Sequence, residues 1–538
     1  MTNIELRSPG FDRLPVGLVA GGVALLGAAA VAGRGVAPAA GVLILVSLIA
    51  AGHRVALRWD VLVSFLLLVV LVIPIKRYGF TASLPFDLEP YRIAIGFVLG
   101  LWTSALLIDS RVRLQRSAID GPLLLFAVAV IGSVALNPGS ITRLDIIRSF
   151  VGARAAEFIR DADRIPFVDV SGTVAKALLF LVSVYLAFYF IVSVVRSPQA
   201  IHVVLKTLVC GAAGVAAFAI VERRTGYNVF DHLQGWIPLV TFEGSGLDAA
   251  DIGRAGRLRV YASAQHPIAL AALFAMVVPL SLYLAHHRRR PIWYATSAVL
   301  ILGALSTVSR TSVTMLAAIV VIFLVLRRSV VTRAAVFVLP ALIVIHLILP
   351  GTIGGLRQAF FPSKGLVSDQ TVYGGRISSE RLGPQFDVIK QQPALGQGYG
   401  TRVTSGPEQN SRVLDNQWLA TGVETGLIGV FAWVWLFVRF VRRAGSEAKR
   451  DLSERGWLLT AITSSVVAFA VGMFTFDAFS FVQELFVFFV LLALGSAVLA
   501  WNEAWPEGAA AERPDRTAAL SSGRVSSKGL GSAPSEVS

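Results

Sequence analysis

PIALAALFAMVVPLSLYLAHHRRR, residues 267–290, decides the class of the fold. From Pro267 to Ala285 it contains no Asp, Glu, Lys or Arg, and it closes on Arg288, Arg289 and Arg290. An apolar run of roughly 17–25 residues is long enough to cross a bilayer as a helix, which satisfies its own backbone hydrogen bonds where there is no water. A short arginine cluster at the end of such a run is the mark of a cytoplasmic loop.

Similar runs recur on both sides of it. Candidate spans lie at 15–33, 37–52, 60–75, 91–108, 119–136, 174–195, 203–221, 267–285, 292–308, 311–326, 334–350, 418–438, 457–475 and 481–501. The first contains AAAVAG, a small-residue pattern like that of a signal-peptide cleavage site; an uncleaved span is expected. Of the 538 residues 55% are hydrophobic and only 15% are charged, against about 25% charged in a soluble domain. That excludes a soluble enzyme with a single anchor. The expected fold is all-α, a polytopic transmembrane bundle of about fourteen spans over residues 1–501. The remainder, 502–538, is rich in Ser, Gly, Ala and Pro with no apolar period, and reads as a disordered cytoplasmic tail.

The basic residues set the expected orientation. Alternate loops carry Arg54 and Arg58; Arg111, Arg113 and Arg116; Arg196; Arg288, Arg289 and Arg290; Arg327, Arg328 and Arg333; and Arg439, Arg442, Arg443, Lys449 and Arg450. Short loops rich in Lys and Arg stay in the cytoplasm, so both termini are expected inside a cell membrane. The net charge of +15 is then mostly a topology signal. It is spread over many loops and not gathered on one face, which argues against nucleic acid as a partner. The lone cysteine, Cys210, falls within a span and reads as a small buried hydrophobe. It offers neither a disulfide nor a cysteine-based metal site.

Three long loops, roughly 137–173, 222–266 and 351–417, are expected on the extracytoplasmic side. The first holds ITRLDIIRSFVGARAAEFIRDADRIPF, with apolar residues at three- and four-residue spacing. That pattern predicts an interfacial amphipathic helix covering the bundle. The second ends DIGRAGRLRVYASAQHPIALAALF, with Arg254, Arg257 and Arg259 just before a span. Arginines on the outer side run against the topology rule; one reason for them is a phosphate partner, which guanidinium grips with a bidentate fork. Solvation and head-group contact are the plain alternatives. STVSRTS, 306–312, puts Ser309 and Arg310 at a tight turn between spans. An arginine at the membrane boundary has a partner, a role, or a path to the head groups.

The third loop contains YGGRISSERLGPQFDVIKQQPALGQGYGTR and closes on LDNQWLATGVETGLIGVFAW. Arg381 to Lys390 predicts a short helix, and PALGQGYG a glycine-rich turn. No Lys-Ser or Lys-Thr follows, so it is not a nucleotide P-loop. Asp415 and Asn416 mark the return to the bilayer. Glu424 comes nine residues after Asp415, about 2.5 turns deeper in a helix.

Four segments in this order resemble the O-antigen ligase and polymerase superfamily of bacterial envelope-glycan enzymes. RVYASAQHPIALA resembles the family's arginine, small-residue stretch and His-Pro or Asn-Pro opening of a span, with Arg259 in the arginine's place. STVSRTS resembles its Ser-Arg turn. GGR followed by QQPALGQGYG resembles its large-loop arginine and Pro-x-x-Gly-x-Gly; Arg376 is the first match and Arg381 the second. DNQWLATGVETGLIG resembles its His-Asn-x-x-Leu and Glu-x-Gly-Leu-x-Gly. The likeness covers roughly 250–440, and the rest by topology alone.

The resemblance implies a metal-independent inverting glycosyltransferase needing no cofactor and no nucleotide sugar. Its donor would be a polyprenyl-diphosphate-linked glycan, its acceptor a glycan or a second lipid-linked unit. Membrane lipids surround it, and polysaccharide-assembly proteins are implied partners. Arg259 and Arg376, then Arg310, are the candidates to stabilise the diphosphate as it leaves. Arg257, Arg381, Asn416 and Glu424 are candidate substrate contacts. An acceptor hydroxyl needs a base. The ligases place a histidine where this chain has Asp415, so Asp415 is the candidate base, or else a sugar ligand or the partner of a loop arginine. Glu380 and Glu408 are outside candidates. His266 reads as structural. Asp in place of His, with long first and second loops, leans the reading towards polymerase. A lipid-linked-glycan flippase and a non-catalytic assembly protein are the alternatives from other classes.

Overall fold

The computed structural model describes residues 58–80, 89–109, 112–137, 171–235, 239–241, 253–254, 257–288, 290–360, 379–402 and 414–501. The fold is helical. In order come α1 (Trp59–Val72), β1 (Tyr78–Gly79), α2 (Pro90–Ile108), α3 (Asp120–Leu136), α4 (Ser171–Val194), α5 (Pro198–Thr225), β2 (Val240–Thr241), β3 (Gly253–Arg254), β4 (Arg257–Leu258), α6 (Pro267–Arg288), α7 (Pro291–Ser306), α8 (Arg310–Leu326), α9 (Arg328–Ala334), α10 (Val338–Ile348), α11 (Thr352–Phe360), α12 (Ser379–Gln391), α13 (Gln417–Arg450), α14 (Glu454–Gly472) and α15 (Val482–Leu499). The strands are two-residue pairs, β1 with β2 and β3 with β4, both antiparallel.

Local chemistry sets several helix ends. Proline opens α2, α5 and α7, where a missing N–H costs nothing. Ser197 caps α5 by accepting from the Ala200 N–H at 3.1 Å. α5 ends on Gly226 in the left-handed conformation, with φ 75°.

The centre is α6, α14 and α15, which are buried almost all round. Pro279 sits inside α6. The Ser465 hydroxyl of α14 donates to the Met276 carbonyl one turn earlier, the kind of outside donor that lets a proline survive in a buried span. Small residues bring the helices close. A Cβ on Gly303 of α7 would lie 2.7 Å from Ala216 of α5, and one on Gly495 of α15 would lie 2.5 Å from Phe440 of α13. The outer helices α2, α4 and α5 bury one face and show apolar side chains such as Phe97, Val182 and Phe218 on the other, as lipid contact demands.

Among the described residues, seven helices are long and apolar enough to cross a membrane: α2, α4, α5, α6, α13, α14 and α15. The bent pair formed by α8 with the segment Arg328–Phe337 makes an eighth if counted as one span. α1, α3 and α7 are shorter apolar helices. The expected spans at 15–33 and 37–52 lie outside the described residues, as do the amphipathic segment of the first loop and the tail.

The chain bends by 119° between α8 and the segment Arg328–Phe337, at the break expected between the runs 311–326 and 334–350; within the second run lie a short 3-10 turn and the 11-residue α10. Arg327 fixes the bend by donating to the Ala448 and Asp451 carbonyls, both at 2.7 Å. One expectation is corrected, that for Cys210: it is exposed, not buried. It lies on the outward stripe of α5 with Gly214, Phe218 and Val221.

The helices alternate in direction, which gives the bundle two ends. One is basic: besides Arg327, it holds Arg439, which donates to the Ala118 carbonyl. Here too His202 meets Tyr283 at 2.8 Å and Glu454 at 3.1 Å. The other end joins described residues that flank the long loops. Asn137 bonds Gly396, Glu222 bonds the 261–262 backbone, and Gln417 bonds the chain after α14.

Candidate functional site

The loop end is unusual in its backbone. Among the described residues, four non-glycine side chains sit at positive φ: Lys76, Ala262, Val308 and Asp415, at 63°, 42°, 50° and 51°. All four lie in connections at this end. Left-handed backbone is unfavourable for a residue with a Cβ, and such strain gathers at functional sites.

The segment Arg259–His266 is held from several sides. Arg77, itself buried, donates to Asp231 at 2.7 Å and to the Ala262 and Ala264 carbonyls, and lies over the Tyr261 ring. The Tyr261 hydroxyl donates to Asp231 at 2.7 Å. Burial, and then that bond to an acidic partner, raises the phenol well above its ordinary pKa. Glu222 accepts from the Tyr261 and Ala262 N–H groups at 3.3 and 2.9 Å. Asn228 donates to the Ala262 carbonyl. This framework turns a strained coil into a rigid one.

It also delivers Arg259. Only 5% of that side chain is exposed, and its Nε donates to the Thr307 carbonyl at 3.0 Å. Thr307 begins the turn that carries Val308, Ser309 and Arg310. Two sequence-expected arginines, 51 positions apart in the chain, therefore flank one turn. Thr311 then meets Thr475 at 2.8 Å, which ties this turn to the connection between α14 and α15.

The glycine-rich segment Pro393–Gly400 plugs a break in α13. At Gly426 the helix is interrupted, with φ 65° and ψ −167°. The loop satisfies both sides of the gap: the N–H groups of Gln397 and Gly398 donate to the Val423 and Glu424 carbonyls at 2.8 and 3.1 Å, and the N–H groups of Leu427 and Ile428 donate to the Pro393 and Ala394 carbonyls at 2.8 and 3.3 Å. A helix interrupted at membrane depth needs such partners. The fit leaves no room for a side chain, since a Cβ on Gly426 would lie 2.3 Å from the Ala394 oxygen.

The loop leads to Arg402. Its Nη1 donates to Asp477 at 2.9 Å, and its Nε lies 3.4 Å from Glu424. Burial alone would lower the guanidinium pKa, but Asp477 and Glu424 outweigh it and raise it, so the charge is permanent. Asp477 also accepts from the Leu414 N–H at 3.0 Å, one residue before Asp415. Tyr399, fully enclosed nearby, is raised well above its ordinary pKa by burial and by Glu424. Asn416 caps α13 by accepting from the Leu419 N–H at 3.2 Å.

Asp415, Asn416, Glu424, Arg259 and Arg310 thus share the loop end. Glu424 lies inside the helix, as the sequence spacing expects, and its partner is Arg402. Asn416 is taken up as a helix cap. Arg257 lies in β4 and Arg381 in the first turn of α12; Glu380 lies beside Arg381. Arg376 and Glu408 fall outside the described residues. His266 sits at the start of α6: its Nδ1 accepts from the Ile268 N–H at 3.1 Å, and its ring stacks on Phe481. Arg402 and Asp477 were not legible. Arg402 directly follows the glycine motif, which is a usable signal, but Asp477 looks like any polar residue between two spans. Among the described residues no three His, Cys, Asp or Glu side chains come together as a metal site. No family model matches the chain, and no curated protein matches it with significant similarity.

Proposed function

We propose that this chain is a membrane-integral glycan transferase, which takes its glycan from a polyprenyl diphosphate on the extracytoplasmic face and polymerises or ligates cell-envelope units. The observation that carries this reading is the meeting, at one strained end of an apolar bundle, of Arg259, the Arg310 turn, the Arg402–Asp477–Glu424 cluster and Asp415. A lipid donor presents its diphosphate at the membrane boundary, where these groups lie. As the glycosidic bond breaks, its electron pair passes to the diphosphate, and a preorganised guanidinium stabilises that charge in a low-dielectric site. Asp415 takes the proton of the attacking hydroxyl, as an inverting transfer needs. Arg402 is neutralised by two carboxylates, so its part is to position the loop and the start of α13, and the phosphate role is assigned to Arg259 and Arg376, then Arg310.

The test is reconstitution of the purified chain in lipid vesicles supplied with a polyprenyl-diphosphate-linked glycan. New glycosidic product with release of polyprenyl diphosphate supports the reading. Movement of the glycan lipid to a protected side without new bonds identifies a flippase, and neither outcome leaves an assembly protein. A requirement for a second lipid-linked unit distinguishes polymerase from ligase.

A further inference from the structure

The two sides of the reaction stand on separate elements. Arg310 opens α8, and Arg259 meets the same turn at the Thr307 carbonyl. Asp415 lies just before α13. Each side carries a left-handed residue, Val308 at φ 50° and Asp415 at φ 51°. Strained backbone of this kind persists only where its surroundings over-determine it.

The connection between α14 and α15, residues 473–481, reaches both sides. Towards Asp415 it binds the chain before and after that residue. The Leu414 N–H donates to the Asp477 carboxylate at 3.0 Å. Gln417, fully buried, donates its N–H to the Met473 and Phe476 carbonyls at 2.7 and 3.1 Å, and its Oε1 accepts from the Phe479 N–H at 2.8 Å. Towards the arginines the contact is Thr475, whose hydroxyl lies 2.8 Å from that of Thr311, the residue after Arg310. The neighbours settle the direction of this bond. Thr475 has one hydroxyl proton and donates it to the Gly472 carbonyl at 2.8 Å, and a carbonyl only accepts. Thr311 therefore donates and Thr475 accepts. Thr475 and Asp477 are two residues apart, on either side of the buried Phe476. One short segment thus clamps the arginine turn at one point and the Asp415 segment at the next.

We propose that Thr311 and Thr475 are positioning residues for the transfer, which fix the distance between the arginine turn and Asp415 through the 473–481 connection. The inference rests on the glycan-transferase reading and deepens it. The transition state needs the base and the diphosphate arginines at once, and a misplacement of about 1 Å costs about a hundredfold in rate. Each side still binds its own substrate when the separation slackens, so the loss falls on kcat and not on KM.

The test uses the full chain in vesicles with a polyprenyl-diphosphate-linked glycan, and reads kcat per folded protein well below the unfolding transition. Thr311→Val keeps the shape and removes the donor; it is expected to lower kcat about tenfold, part of the loss that a full ångström would bring, with KM for the donor unchanged. Thr311→Ser, which keeps the hydroxyl, is expected to retain kcat. On an Asp415→Asn background Thr311→Val should cost little more, since no base is left to place. Thr475→Val breaks the same bond from the other side and carries the test if Thr311→Val fails to fold. An unchanged kcat in the valine variants overturns the proposal, as does a loss that Thr311→Ser shares, or one equally large with and without Asp415. Those results leave the transferase reading intact as long as the unsubstituted chain makes product. No product from the unsubstituted chain overturns both.

Discussion

Arg402 donates to Asp477 at 2.9 Å across 75 positions of sequence, with both side chains buried. The pair joins the end of the glycine-rich loop to the connection between α14 and α15. Removing one member of a buried pair strands the other and costs about 3–5 kcal/mol. Arg402→Met and Asp477→Ala should therefore each lower the melting temperature in detergent by several degrees. The double substitution should cost clearly less than the sum, because it strands only Glu424. A strictly additive double-mutant cycle would show that the pair is not coupled.

The plug in α13 makes a sharper prediction. Gly426→Ala places a Cβ against the Ala394 carbonyl in a backbone region that alanine avoids, so the loop must leave the gap. Gly445, in the same helix, has no atom within 4 Å of an added Cβ; alanine there should be neutral or stabilising by up to about 1 kcal/mol. Thermal unfolding of the two variants should differ in sign. Equal stabilities would mean that the loop does not depend on Gly426.

Much of this was legible, for physical reasons. Spans are set by apolar length, which one sequence carries in full, so α2, α4, α5 and α6 lie where the runs predict. α13 starts within a residue of its predicted start because Asn416 is a good cap. The break after Leu326 was legible in the charges of Arg327, Arg328 and Arg333, but its 119° angle was not, because it depends on the contact of Arg327 with the far end of α13. Within the site, Arg259 stood out because a charge next to a span is conspicuous. Asp477 did not, because a polar residue between spans is ordinary until Arg402 arrives from elsewhere in the chain.

His266 offers a test of structure against catalysis. Its Nδ1 accepts from the Ile268 N–H as a helix cap does. Asparagine caps well, so His266→Asn should keep most of the glycan product and stability. His266→Ala should lose about 1 kcal/mol of stability. Loss of product in the Asn variant at normal protein levels would assign the ring a chemical part.

At the basic end, burial would raise the pKa of Asp451, but the hydrogen bonds from Ser453 and Arg455 outweigh it and hold it below the ordinary value. A depressed carboxylate stabilises the fold above its unfolded pKa, and that contribution disappears as pH falls through the folded value. Asp451→Asn should therefore narrow the gap in melting temperature between pH 7 and pH 3, chiefly by lowering stability at pH 7. An unchanged gap would show that Asp451 contributes nothing to acid sensitivity.

The reacting groups can be separated because of the backbone at Asp415. At φ 51° alanine would add strain to the loss of charge, whereas asparagine accepts the left-handed region. Asp415→Asn thus removes the proposed base and keeps the shape. It should lower product formation by at least about a hundredfold, the scale of a lost general base, at normal membrane levels, while Glu408→Gln has little effect. Arg259→Ala, Arg310→Ala and Arg376→Ala should each reduce product in the same assay, with Arg259→Ala the most severe, because its side chain is already ordered against the Thr307 carbonyl. Initial rates with a saturating donor distinguish the roles. An arginine that serves the leaving diphosphate loses kcat, since it acts mainly on charge that builds in the transition state; one that only holds the lipid raises KM. Equal and small effects of Asp415→Asn and Glu408→Gln would remove Asp415 from the base assignment.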